Sequence, residues 1–195
     1  MTIKPSPSLV RKAIAADIPE IWRLFLMGHR DNGIFQLAPQ KVDYYLNRAI
    51  YPDQVMSNDN GPRGQIGVIG SPGKLEAIVF VILGSYWYSE QIHLEELIVY
   101  VDPEYRASEH AKACIQWMKN MADDLDIKLV TGIMSNDRTA AKIRLYDRYL
   151  PRIGAFYLHP IGDTDAKRKN HNMEKESWEA SRRSVSQKAS LKTAK

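Results

Sequence analysis

Residues 93–111 read His-Leu-Glu-Glu-Leu-Ile-Val-Tyr-Val-Asp-Pro-Glu-Tyr-Arg-Ala-Ser-Glu-His-Ala, and this stretch decides the fold. Apolar and β-branched residues dominate from His93 to Val101, which predicts a strand, and Pro103 closes it. A short turn at Arg106 to Ser108 follows, then Ala111, Cys114, Ile115 and Met118 recur at helical spacing, predicting an amphipathic helix over 108–123. The first amides of such a helix lack internal acceptors and stand at its positive dipole end. A strand–turn–helix junction of this kind therefore suits an anionic, phosphate-like group.

Outward from this junction the periodicities alternate between strand and helix. Leu9 to Ala13 reads as a first strand, and Asp17 as the cap of a helix from Ile18 to about Arg30. Pro39 begins a second helix through Val42, Tyr45, Leu46 and Ile50, and 58–64 is a turn-rich loop. Ile66 to Ile69 and Leu75 to Leu83 bracket Ser71-Pro72-Gly73, predicting a hairpin. Strand Leu129–Met134, helix 137–149 and a last strand near Phe156–His159 complete an α/β (α+β) arrangement, a central mixed sheet flanked by helices.

Val101-Asp102-Pro103-Glu104-Tyr105-Arg106 followed by small residues resembles motif A of the GNAT superfamily of acyl-CoA-dependent N-acyltransferases. Ser135-Asn136-Asp137-Arg138-Thr139-Ala140-Ala141-Lys142, then Leu145-Tyr146-Asp147-Arg148-Tyr149 and Ile153-Gly154-Ala155-Phe156-Tyr157, resemble motif B in the family's order. Val10 to Ala13 and Asp17 to Ile21 resemble the family's opening strand and helix, so the likeness covers roughly residues 9–160. It implies a GNAT-like fold with a splay between the motif A strand and the next, acetyl-CoA as co-substrate, and an amine acceptor. The Arg-x-Ser-x-x-Ala loop resembles phage- and prophage-encoded members in particular.

The resemblance also implies a site. Pyrophosphate would rest on Arg106, Ala107, Ser108, Glu109, His110 and Ala111, and pantetheine along Val99 and Val101, with Asn136 beside the cofactor. Where the family prefers glycines this loop carries Cβ atoms, and Glu109 adds a negative charge. Glu109 is expected to turn away from a bound pyrophosphate, or else CoA binds weakly. Tyr146 matches the motif B tyrosine that protonates the departing thiolate, while a core aromatic is the plainer reading. Glu95 matches the strand carboxylate that serves some members as base. Glu96 points to the opposite face by strand alternation, but a bulge is common in this strand, so parity does not choose between them. Glu95 is ranked first, Glu96 second and His93 third, with a water chain as the remaining option. The acceptor region offers His29, Arg30, Asp31, Phe35, Tyr44 and Tyr45, with Tyr86, Trp87 and Tyr88 from the far hairpin, as an aromatic cage or as core filler.

The chain has 195 residues and 44% hydrophobic content, enough for one substantial core. It has no apolar run of bilayer length, and its first eight residues lack the hydrophobic stretch of a secretion signal. With a single cysteine, Cys114, a reducing compartment is expected, the cytoplasm of a bacterium or of a phage-infected host. Charge is segregated. Residues 164–195 hold nine basic and four acidic groups, leaving 18 and 19 of the chain's 27 and 23 for residues 1–163. The domain of 1–163 is thus neutral and the 164–195 extension basic, partly helical or disordered, with Trp178 available to dock on the domain or in a homodimer contact. No metal-ligand cluster, Ser-His-Asp set, phosphate-binding lysine loop or dinucleotide fingerprint is present. Two other classes stay open: a non-catalytic GNAT-like interaction or virion module, and a nucleic-acid-associated protein using its basic tail.

Overall fold

The computed structural model describes residues 9–54, 61–133 and 139–155. Asn136, the expected strand near Phe156–His159 and the basic extension lie outside the described residues. Contacts group residues 1–34 with 40–156 in one unit. A second takes in 35–39 and 157–195, of which only 35–39 is described, an irregular stretch up to Pro39.

Among the described residues five strands form one mixed sheet in sequential order: β1 (Arg11–Lys12), β2 (Gly64–Ser71), β3 (Lys74–Ser85), β4 (Ile92–Val101) and β5 (Lys128–Val130). All neighbours are antiparallel except β4 and β5, which are parallel and joined through a helix, as parallel pairing requires. The helices are α1 (Ile18–Asn32), α2 (Pro39–Ile50), α3 (His110–Asp124) and α4 (Thr139–Tyr146). None of those described is long and apolar enough to cross a membrane.

The β2–β3 hairpin turns on Pro72-Gly73: proline presets the first turn position, and Gly73 takes a φ of +85°, which only glycine adopts without strain. Strand β3 is central and, from Ala77 to Leu83, apolar because both of its faces are covered. Ala77, Val79 and Val81 pack on Cys114, Ile115 and Met118 of α3, while α1 crosses the opposite face. Gly28 permits that crossing, since a Cβ there would lie 3.0 Å from the Tyr100 ring and 3.2 Å from Ile98. Asp17 precedes α1 but its side chain does not cap it, contrary to the expectation. The fully buried carboxylate instead takes two Arg11 nitrogens at 2.7 and 2.8 Å and the Ile14 amide at 2.9 Å. Burial alone would push this carboxyl up, but Arg11 and the Ile14 amide hold it below its ordinary range.

Most remaining differences are of length. The first strand is two residues rather than five, β5 ends at Val130, and α4 gives way to turns after Tyr146. Short edge strands follow from a lack of partners, which local propensity cannot register. Between β4 and the turn at Arg106 stands a short 3-10 turn, Pro103–Tyr105, in which the Glu104 N–H donates to the Asp102 carboxylate at 3.0 Å.

Candidate active site

One extra residue in β4 decides which carboxylate faces which layer. Opposite β3, Phe80 pairs with Ile98 while the next residue, Val81, pairs with Glu96, so Leu97 is bulged out. The bulge reverses side-chain parity along the strand. Before it, Leu94 joins the core beneath α3 and Glu96 reaches Tyr146 of α4. After it, Val99 and Val101 pack on that core while Ile98 and Tyr100 meet Gly28 of α1. His93 and Glu95 therefore stand on the α1 face. The β5 ladder stops at Glu95–Val130, so alternate backbone groups of β4 from Glu96 to Val101 have no strand on that side among the described residues.

At this divergence the Tyr146 hydroxyl donates to the Glu96 carboxylate, 2.9 Å from each oxygen. Glu96 keeps part of its surface accessible yet lies deep among protein atoms. Burial pushes its carboxyl up to about 7, against the pull of Tyr146, the Lys142 charge and the Val99 amide. Tyr146 is pushed well above its ordinary range, by burial first and by Glu96 next, so it stays protonated. Cys114 lies fully buried nearby, its thiol raised to about 12 by burial and the Glu96 charge, and it is a packing residue rather than a nucleophile. The geometry thus joins Tyr146 with Glu96 and not with Glu95. Sequence reasoning passed over Lys142, which lies one turn before Tyr146 and donates to Asn32 of α1 at 3.0 Å. Its i, i−4 spacing from Tyr146 was the available signal.

The junction before α3 has its own geometry. Ser108 Oγ accepts from the His110 amide at 3.2 Å and donates to the Tyr105 carbonyl at 2.6 Å, while Ala113 N–H is bonded to the Glu109 carbonyl. The Ala111 and Lys112 amides precede the first intrahelical acceptor and face out of the helix end. Glu109 is exposed and swings back to Lys112 at 2.8 Å, so its charge is matched by a cation three residues on. His110 is buried, stacked on Tyr105, with Nε2 2.6 Å from Glu76 of β3. The Arg106 side chain turns to α1: its guanidinium bonds the Asp31 carboxylate at 2.8 Å, the Tyr100 hydroxyl at 3.0 Å and the Val101 carbonyl at 3.3 Å. What this junction offers an anion is therefore backbone, and Asp31 of the expected acceptor set serves to anchor it. Tyr44 and Tyr45 contact each other edge-on along α2, with the Arg48 guanidinium 5.4 Å from the Tyr44 ring.

The fold that results is a mixed sheet in which β4 and β5 part beyond Glu95 and Val130, with a bulge in β4 and an amide-bearing junction before α3. Solved structures share it. A ribosomal-protein-alanine N-acetyltransferase from Brucella melitensis biovar Abortus 2308 superposes with a TM-score of 0.55 at 15% identity, covering 78% of this chain and 98% of its own. A predicted acetyltransferase with acetyl-CoA from Clostridium acetobutylicum gives 0.54 at 14% identity, covering 78% and 94%. An aminoglycoside acetyltransferase from an uncultured soil metagenomic sample gives 0.51 at 14%, covering 78% and 95%. No protein-family model and no curated protein matches the sequence. At such identities the likeness carries the fold.

Proposed function

We propose that this chain is an acyl-CoA-dependent N-acetyltransferase that moves the acetyl group of acetyl-CoA directly onto a primary amine. The observation that carries the reading is the Glu96–Tyr146 pair at the point where β4 and β5 part, beside a helix-start junction with outward amides. Pyrophosphate takes the amides between Arg106 and Ala111, and pantetheine lies along β4 at Val99 to Val101, beyond the last β5 pairing among the described residues. The amine approaches from the α1 face, where the Glu95 carboxylate takes its proton, and its nitrogen forms a bond to the thioester carbon as the C–S bond breaks. The thiolate leaves toward α4, where Tyr146 donates its proton and regains one from Glu96. That relay needs Glu96 protonated: an ionised Glu96 holds the tyrosine hydrogen, whereas a neutral one donates to the tyrosine oxygen and frees the hydrogen for sulfur. A carboxyl near 7 supplies both forms at neutral pH.

The test is a calorimetric titration with acetyl-CoA followed by turnover of Tyr146→Phe. Native protein is expected to bind, Ala107→Asp to bind more weakly, and Tyr146→Phe to bind normally while turnover falls by about 10²-fold. Absence of binding at about millimolar acetyl-CoA returns the chain to a non-catalytic module, the reading favoured by a glycine-poor loop whose arginine is already engaged.

A further inference from the structure

Around Glu95, the α1 face of β4 carries side chains to which the transfer step above assigns no part. Among the described residues no donor reaches the Glu95 carboxylate, and the His93 ring nitrogens have no hydrogen-bond partner. Both border Gly84, which pairs with His93 across the β3–β4 ladder. A Cβ on Gly84 would lie 3.1 Å from Glu95 Oε2 and 3.6 Å from His93 Nε2, so its absence leaves a slot between a carboxylate and an imidazole. Above the slot the hairpin loop lays out aromatic rings in a row. Tyr86 stacks on His93 at 4.9 Å, Tyr88 stacks on Tyr86 at 5.6 Å, and Trp87 meets Tyr88 edge-on at 5.5 Å. Residues Tyr86, Tyr88 and Trp87 are 45, 69 and 94% exposed, an aromatic rim held by its own ring contacts, with the Trp87 indole across the end of the stack and open to water.

We infer that this surface is the acceptor subsite and that the acceptor is an arylalkylamine, its ammonium on Glu95 over Gly84 and its ring against the Tyr86–Trp87–Tyr88 rim. The inference rests on the acetyl-transfer reading above. A carboxylate without a cation beside it suits an ammonium, and the missing side chain at Gly84 leaves room next to Glu95 Oε2 for a slim ammonium-bearing chain. The rest of the ligand is set by the rim and by Lys128, which pairs with His93 across β4–β5 and so brings a positive charge to this same face. A second cationic arm, as in a polyamine, would meet Lys128, whereas a neutral ring would not and would cover the exposed indole.

The experiment compares acetyl-CoA-dependent acetylation of 2-phenylethylamine, hexylamine and spermidine by the full chain. The expected order puts 2-phenylethylamine first in kcat/KM. Gly84→Ala is expected to raise its KM by about tenfold, the size of effect that one added carbon in a binding pocket produces, while calorimetric acetyl-CoA affinity stays the same. Trp87→Ala should erase the advantage over hexylamine. Preference for spermidine, or an unchanged KM in both variants, overturns the inference. If acetyl-CoA does not bind, direct titration of 2-phenylethylamine separates the two ideas: binding that Gly84→Ala weakens upholds the subsite while acetyl transfer falls, and no amine binding overturns both.

Discussion

Glu96 is the residue on which chemistry and stability meet. Its carboxyl is raised from 4.5 in the unfolded chain to about 7 in the fold, chiefly by burial. For an acid, a raised folded value means that the native state binds the proton more tightly than the unfolded one. The folded state is therefore favoured most below about pH 4.5, loses that advantage as pH climbs through the window to 7, and loses nothing further above it. Glu96→Gln keeps an acceptor for Tyr146 and removes the charge. Urea melts are expected to show the variant more stable than the native chain at pH 8, by an order of about 3 kcal/mol or less, and equal to it at pH 4. A gain that persists at pH 4 would assign the effect to packing. The same substitution is expected to lower turnover and to remove the alkaline limb set near pH 7, because a Gln side chain neither ionises there nor returns a proton to Tyr146. A pH–rate profile checks this, and an unmoved limb would take Glu96 out of the relay.

Among the elements, α1 and β4 depend on each other at a single close approach. Gly28 sets α1 down on Ile98 and Tyr100, and from there Asp31 at the end of the helix reaches both the Tyr100 hydroxyl at 2.8 Å and Arg106. The helix thus braces the junction before α3 from the side. A second brace is Arg23, which bonds Asp102 at 2.7 Å and the Leu75 carbonyl at 2.8 Å. Gly28→Leu forces a side chain into a contact already at 3.0 Å from Tyr100. It is expected to cost about 1–3 kcal/mol by overpacking, read as a lower urea midpoint at unchanged slope, and to weaken acetyl-CoA binding as the Asp31–Arg106 bond is pulled apart. A midpoint equal to that of the native chain would show that α1 shifts freely over the sheet.

For the whole molecule the open question is what the basic extension contributes. The described side chains of the site lie between Asp31 and Tyr146, while residues 164–195 carry nine basic against four acidic groups. We propose that the extension guides or solvates rather than catalyses, so a chain ending at Gly162 should transfer acetyl groups at the native rate. Transfer by the two lengths, beside their melting temperatures, checks this. Lost transfer at unchanged melting would put the extension in the acceptor site, and a lower melting temperature with proportional loss would make Trp178 part of the fold or of a dimer contact. Binding to nucleic acid that falls steeply with salt and vanishes on truncation would instead support the arm reading.

Read alone, the sequence settled what depends on near neighbours. The strand–turn–helix of 93–111, the Pro72-Gly73 hairpin and the apolar run of β3 are each specified by residues within a few positions, because turn chemistry, helix starts and side-chain period are local properties. It also carried Tyr146 and both glutamates as candidates, through their motif and their chemistry. Which glutamate meets Tyr146 was decided only by the tertiary structure. The bulge at Leu97 exists in relation to β3 and turns the strand over, and no count along β4 reveals it. The same holds for the engagement of Arg106 by Asp31, residues 75 positions apart. It holds as well for the raised carboxyl of Glu96, since burial is the work of α3 and α4 packing over a strand that meets them only in three dimensions.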